Sequence, residues 1–282
     1  YGTLDLASGR AYNPAWARGA SSIAEVATLQ LEFATLSRHT GDPRYGDRAR
    51  RVMEHLRAMR WPSRVPRGLY PTFIHPESGS FTSHDVTLGA RADSAYEYLL
   101  KQWLLSGKTD EPMRVMYEES MDAIAKHLVM RGGSACNNCT YIGRLNFLTH
   151  MYERRMDHLV CFAPGMLALG AWSGAVSDAE VADAHLELAQ QLMATCASMY
   201  FDQASGLAPE IGAFEHDTLV SADERARHSL LRPETVESLF VLWRVTADPI
   251  YREWGWRIFR SFERHCRVPQ GGYPGGAHGP EA

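Results

Sequence analysis

Two stretches of this chain, Leu36–Tyr45 and Leu242–Tyr251, carry Leu, Arg, Thr, Asp, Pro and Tyr at the same spacing. Each reads as the end of one amphipathic helix, a turn stopped by Asp-Pro, and the entry of the next helix. A looser copy, Trp103 to Gly107, closes a helix that begins near Asp93. One helix pair cannot bury its own apolar face, so repeated pairs imply stacking into a solenoid or a closed toroid. Pro233 suits the first turn of the last such helix, where a missing N–H costs nothing. Val236, Leu239, Phe240 and Trp243 follow at helical spacing and are expected to form its buried face. Each copy has an acid near the start of its first helix: Glu25, Asp93 and Glu234. Stacking in one sense would collect those carboxylates at one end.

The remaining elements follow from periodicity. Residues 1–19 read as a loop, and Ser21 or Ser22 caps the first helix with Glu25 in capping-box position. A capping role for Glu25 therefore competes with a functional one. Leu29, Leu31, Phe33 and Leu36 are expected to supply that helix's buried side, and a second helix spans about 44–59. Proline-rich residues 61–87 suggest a hairpin. Helices follow over the stretch entered by Arg91 and Asp93 and over 110–131, with a Gly/Asn-rich hairpin candidate at 132–150. Residues 156–172 are nearly all apolar and predict a buried helix with Asp157 and His158 at its entry. A further helix is expected over 177–200. The polar stretch that follows is long enough to suggest a functional loop, with Glu210 as its candidate.

The formal charge of −4 and the lack of a basic run argue against nucleic acid or a charged membrane surface as partner. Charges interrupt every apolar stretch too often for a bilayer span. The chain opens on Tyr1 and is expected to lack its natural N-terminus. Of the five cysteines, Cys136 and Cys139 have metal-like spacing but no second pair to complete four ligands. Local redox chemistry and free thiols stay open for them. Asn138-Cys139-Thr140 matches a glycosylation sequon. Phosphate-loop, GxSxG and HExxH motifs are absent. What stands out is carboxylates beside arginines, the equipment for glycosidic hydrolysis by paired acid and base. The residues alone leave a helical-toroid glycosidase and a helical scaffold equally open.

Four segments in order, SSIAEVATLQLEF, LGARADSAYEYLLKQW, MDHLVCFAPGMLALG and LLRPETVESLF, resemble the signature stretches of the class I α-1,2-mannosidases, glycoside hydrolase family 47. The resemblance runs from about Ser21 to Tyr273. It implies an all-α fold, an incomplete (α/α)7 barrel of concentric helix pairs with short β-hairpins, and one partial catalytic domain over 1–282. It also implies inverting removal of terminal α-1,2-linked mannose from high-mannose N-glycans on glycoproteins. Asp93, Glu210 and Glu234 match catalytic carboxylates, with Glu234 or Asp93 as base on water. Arg91, Arg232, Glu25, His158 and Asp157 match substrate-contacting positions, and Cys161–Cys196 matches a disulfide suited to an oxidising lumen. The Arg in GARADS resembles the endoplasmic-reticulum members, which implies conversion of Man9 to Man8 in that lumen or the Golgi by a membrane-anchored full-length form.

The resemblance implies calcium too, held by a threonine that would follow Ala282, so no metal ligand is expected within this chain. The proton-donating carboxylate would precede Tyr1, and the 282 residues by themselves are therefore expected to be inactive. A glycan-binding quality-control lectin without turnover is the alternative of another class. Glu237, one turn beyond Glu234, is expected to support Arg232 rather than meet substrate.

Overall fold

The computed structural model describes every residue except 133–135, 137–138, 216–217, 222–225 and 274–282. It divides into two compact units, one of residues 1–128 with 145–152, the other of residues 129–144 with 153–282. The sequon residue Asn138, part of the polar stretch after Glu210, and the end of the C-terminal tail lie outside the described residues.

The first unit holds five helices: α1 (Ile23–Ala27), α2 (Gln30–Thr40), α3 (Arg44–Ala58), α4 (Asp93–Leu105) and α5 (Glu111–His127). Its core is built on Ile23, Leu56, Leu69, Leu88, Tyr96, Leu99, Tyr117 and Met121. Tyr70 donates its backbone N–H to the buried Tyr96 hydroxyl at 2.9 Å. Residues 1–19 contain a small hairpin, Thr3–Leu4 against Ala11–Tyr12, where a loop was expected. The expected continuous first helix is broken. Thr28 Oγ1 bonds back to the Ala24 carbonyl, and the Gln30 side chain takes the Leu29 N–H, so the chain restarts as α2. Leu29 and Leu36, expected inside, are consequently exposed, and the buried residue of α2 is Gln30.

The second unit contributes α6 (Ala163–Ser173), α7 (Ala179–Phe201), α8 (Glu234–Thr246) and α9 (Ile250–His265). The apolar stretch at 156–172 is not one helix. Arg155–Asp157 is a strand paired with Ile211–Ala213, a 3₁₀ segment His158–Phe162 follows, and only then does α6 begin. Part of the stretch expected to be a loop is a hairpin, Ile211–Glu215 with Thr218–Ser221. Gly165 lets α6 approach α8: an added Cβ would stand 3.1 Å from the Ser238 Cα. Ser238 Oγ accepts the Gly165 N–H at 2.9 Å and donates to the Cys161 carbonyl at 2.5 Å. Cys161 and Cys196 form a disulfide that ties the 3₁₀ segment to α7. Cys136 and Cys139 are joined to each other, which removes both free thiols and zinc thiolates from consideration there. Cys266 is free and buried, and burial pushes its thiol up.

The buried face of α8 is Thr235, Ser238, Leu239 and Leu242: Leu239 is inside as expected, whereas Val236 and Trp243 are only half-buried. Phe240 is 59% exposed, because the hydrogen-bonded contact of Ser238 with α6 turns the helix by about one position.

The two repeated turns are built alike. Thr40 Oγ1 donates to Leu36 O and accepts from Asp42 N, while Asp42 Oδ1 caps Arg44 N. Thr246, Leu242, Asp248 and Ile250 repeat each bond. The residue between Thr and Asp is left-handed in both, Gly41 at φ 72 and Ala247 at φ 58. A side chain there costs about 1 kcal/mol. Ala247→Gly is therefore expected to stabilise the protein by about that amount and raise the melting midpoint by roughly 2–4 °C. Calorimetry checks it; an unchanged or lower midpoint would show that the left-handed alanine carries no cost.

Candidate functional site

The second unit gathers most of the residues singled out in the sequence. Glu234 opens α8, in the first turn where unpaired helical N–H groups favour negative charge. Glu210 sits at the entry of the Ile211–Glu215 strand, its backbone N–H bonded to the carbonyls of Ala226 and His228. Its carbonyl accepts the His158 N–H at 2.8 Å, which binds the 3₁₀ segment to this strand.

The two carboxylates differ in how they are held. Glu210 is fully engaged: Oε2 accepts from Arg232 Nε at 2.5 Å, and Oε1 accepts from Leu230 N at 3.2 Å. Glu234 Oε2 is buried with no hydrogen-bond partner, 3.7 Å from His158 Nδ1, which also lacks one. On its other nitrogen His158 meets Tyr200 Oη at 2.8 Å and Thr235 Oγ1 at 3.1 Å. Burial raises the Tyr200 phenol, a hydrogen bond with Thr235 works against the rise, and the charges of Glu234 and Glu210 add to it. Asp157 closes the strand beside them, half-buried, and places no side-chain cap on the 3₁₀ segment.

The first unit holds the other three candidates. Glu25 does what the capping reading expected: its Oε2 accepts from Ser22 N and Oγ, and Ser22 Oγ accepts from Glu25 N. Asp93 is the first residue of α4 and its Oδ1 accepts from Ser94 N at 2.8 Å. Arg91 adopts φ 76, accepts the Ala24 N–H on its carbonyl, and lays its guanidinium over the Trp16 ring at 3.9 Å. The backbone bond brings Glu25, Arg91 and Asp93 into one neighbourhood.

Sequence reasoning missed Trp16, Tyr200 and Thr235. Thr235 was visible as the neighbour of Glu234. Tyr200 carries no local signal, lying at the end of a helix that reads as ordinary amphipathic structure.

The model of glycosyl hydrolase family 47 matches residues 1–276. The chain belongs to glycosyl hydrolase family 47. Among relatives within it, the endoplasmic reticulum mannosyl-oligosaccharide 1,2-alpha-mannosidase of Homo sapiens is 44% identical over 97% of this chain. The mannosyl-oligosaccharide 1,2-alpha-mannosidase of Candida albicans is 41% identical over 95%. The chain spans 38% and 49% of the lengths of those two proteins. The solved alpha-1,2-mannosidase from Trichoderma reesei superposes with TM-score 0.79 at 25% identity, covering 91% of this chain and 54% of that one. The helix pairs with short hairpins are those of the family 47 (α/α)7 barrel fold. A D-mannose isomerase, at TM-score 0.62 and 12% identity, shares the fold alone.

Proposed function

We propose that these residues are part of the catalytic domain of an inverting α-1,2-mannosidase that trims terminal mannose from high-mannose N-glycans, Man9 to Man8, in the endoplasmic reticulum lumen. The observation that carries the reading is the contrast between Glu210 and Glu234. Inverting hydrolysis needs one ionised carboxylate with a free oxygen to take a proton from the attacking water. Glu234 Oε2 is such an oxygen, buried and unsatisfied beside His158. Glu210 already balances Arg232 and so serves to anchor a guanidinium that can donate to sugar hydroxyls. As water attacks C1, its proton passes to Glu234 while the bond to the leaving oxygen breaks and a second carboxyl protonates that oxygen. Asp93, with Arg91 and Glu25, forms a second group of family-matched residues, held together within the first unit by the Ala24–Arg91 backbone bond.

Relatives named for the endoplasmic reticulum support the compartment, and no helix among the described residues is long and apolar enough to cross a membrane. The family resemblance brings calcium with it. A calcium site needs six to eight oxygen ligands. Among the described residues no three His, Cys, Asp or Glu side chains gather where one ion could be held. The residues here do not fit that ion on their own, and none of the steps above passes through it.

The test is Asp93→Asn in the complete enzyme. Mannose release from a Man9 glycan should fall by about two to four orders of magnitude, while glycan binding by calorimetry persists. A parent protein that binds glycan with no turnover to lose would replace this reading with the lectin.

A further inference from the structure

His158 is 3% exposed, yet its ring is satisfied on one side only. Nε2 meets the hydroxyls of Tyr200 and Thr235, whereas Nδ1 faces an equally unsatisfied Glu234 Oε2. A histidine serving merely as a packed core residue would not bury a bare nitrogen against a bare carboxylate oxygen, since each costs about 1–3 kcal/mol.

Burial keeps the Tyr200 phenol protonated, so its O–H is available as a donor throughout the working pH range. A hydroxyl that donates to Nε2 makes that nitrogen an acceptor, and a neutral imidazole must then carry its hydrogen on Nδ1. The carboxylate against the ring is Glu234 on α8, 3.7 Å from Nδ1, while Glu210 meets His158 through its backbone carbonyl and turns its carboxylate to Arg232.

We propose that Tyr200 and Thr235 are positioning residues that fix His158 in its Nδ1–H tautomer, so that Nδ1–H and Glu234 Oε2 form a donor–acceptor pair gripping a single oxygen. The 3.7 Å separation is too long for a hydrogen bond between the two. One oxygen set about 2.8 Å from both closes the triangle. It must accept from Nδ1–H and donate to a carboxylate, which a hydroxyl or a water can do and a carbonyl cannot. The inference deepens the reading of Glu234 as base: a gripped water is the nucleophile, and a gripped sugar hydroxyl is a binding contact.

The tautomer is measured directly, without substrate, from the imidazole nitrogen resonances of the complete enzyme labelled with 15N-histidine. His158 is assigned by the signals lost in His158→Gln. The expected result is a protonated Nδ1 and a bare, hydrogen-bonded Nε2; a protonated Nε2 in the parent overturns the proposal whatever the enzyme's activity. Tyr200→Phe should move the resonances toward a tautomer mixture, and Thr235→Ser, which keeps a hydroxyl, should not. In kinetics, Tyr200→Phe should lower kcat about tenfold at nearly constant KM if the oxygen is water, or raise KM about tenfold at nearly constant kcat if it is a sugar hydroxyl. Either supports the proposal. Unchanged resonances and unchanged constants in Tyr200→Phe overturn it. Should that variant fail to fold, Thr235→Val and the parent tautomer carry the same decision. Loss of all mannose release in the parent would sink the functional reading while leaving the tautomer result standing.

Discussion

Glu234→Gln in the complete enzyme is expected to lower kcat for mannose release by about three orders of magnitude while leaving folding and glycan binding nearly intact. The amide has the shape of the carboxylate, so the first turn of α8 keeps its packing. What it loses is basicity. Glu234 Oε2 stands 3.7 Å from His158 Nδ1 without a hydrogen-bond partner, and an amide there cannot take a proton from water. Two companion variants separate this effect from general loss of charge. Glu237→Gln, further along the first turn of α8, removes an equal charge from that turn and should cost no more than about tenfold. Glu210→Gln weakens a 2.5 Å pair with Arg232, so its first consequence should be a higher KM as the guanidinium loses its anchor. Equal kcat losses for Glu234→Gln and Glu237→Gln, measured on a Man9 glycan, would remove Glu234 from the role of base.

Which parts of this molecule could be read from its sequence depends on how far their causes reach. The Thr-x-Asp-Pro turns were legible because every bond that makes them lies within four residues: Thr to the carbonyl four back, Asp to Thr, and the next helical N–H to Asp. The Ser22–Glu25 capping box was legible for the same reason. The orientation of α8 was not. Spacing alone makes Phe240 and Trp243 as eligible for burial as Leu239 and Leu242. The decision is made by Gly165 and Cys161, which lie more than seventy residues earlier and hold Ser238 inward. Likewise Glu210 and Glu234 were found as isolated acids near sequence landmarks. Their difference in state comes from Arg232, Leu230 and a histidine ring held by Tyr200, a residue 42 positions away. The family resemblance supplied the list of acids, but the asymmetry between them is visible only in the packing.

Removal of the Cys161–Cys196 disulfide is the second large effect expected. The cysteines are 35 residues apart, and cross-linking a loop of that length restricts the unfolded chain by about 4 kcal/mol in the entropic model. For a protein of this size, that is roughly 8–16 °C in melting midpoint. Both sulfurs are buried, so Cys161→Ala with Cys196→Ala is the cleaner variant, avoiding two hydroxyls placed in an apolar interior. The Cys136–Cys139 bridge closes a separation of only three residues, and its removal should cost about half as much in the same model. The two should also differ in function. Cys161 lies in the 3₁₀ segment that begins with His158, and its carbonyl accepts from Ser238 on α8, so the bridge stabilises the segment that aims the ring at Glu234. Its loss should lower kcat as well as stability, at temperatures where the variant is still folded by circular dichroism. Equal melting shifts for the two bridges, with kcat unchanged in both, would show that the 3₁₀ segment keeps its geometry without the link to α7. The position of His158 would then rest on Tyr200, Thr235 and the Glu210 carbonyl alone.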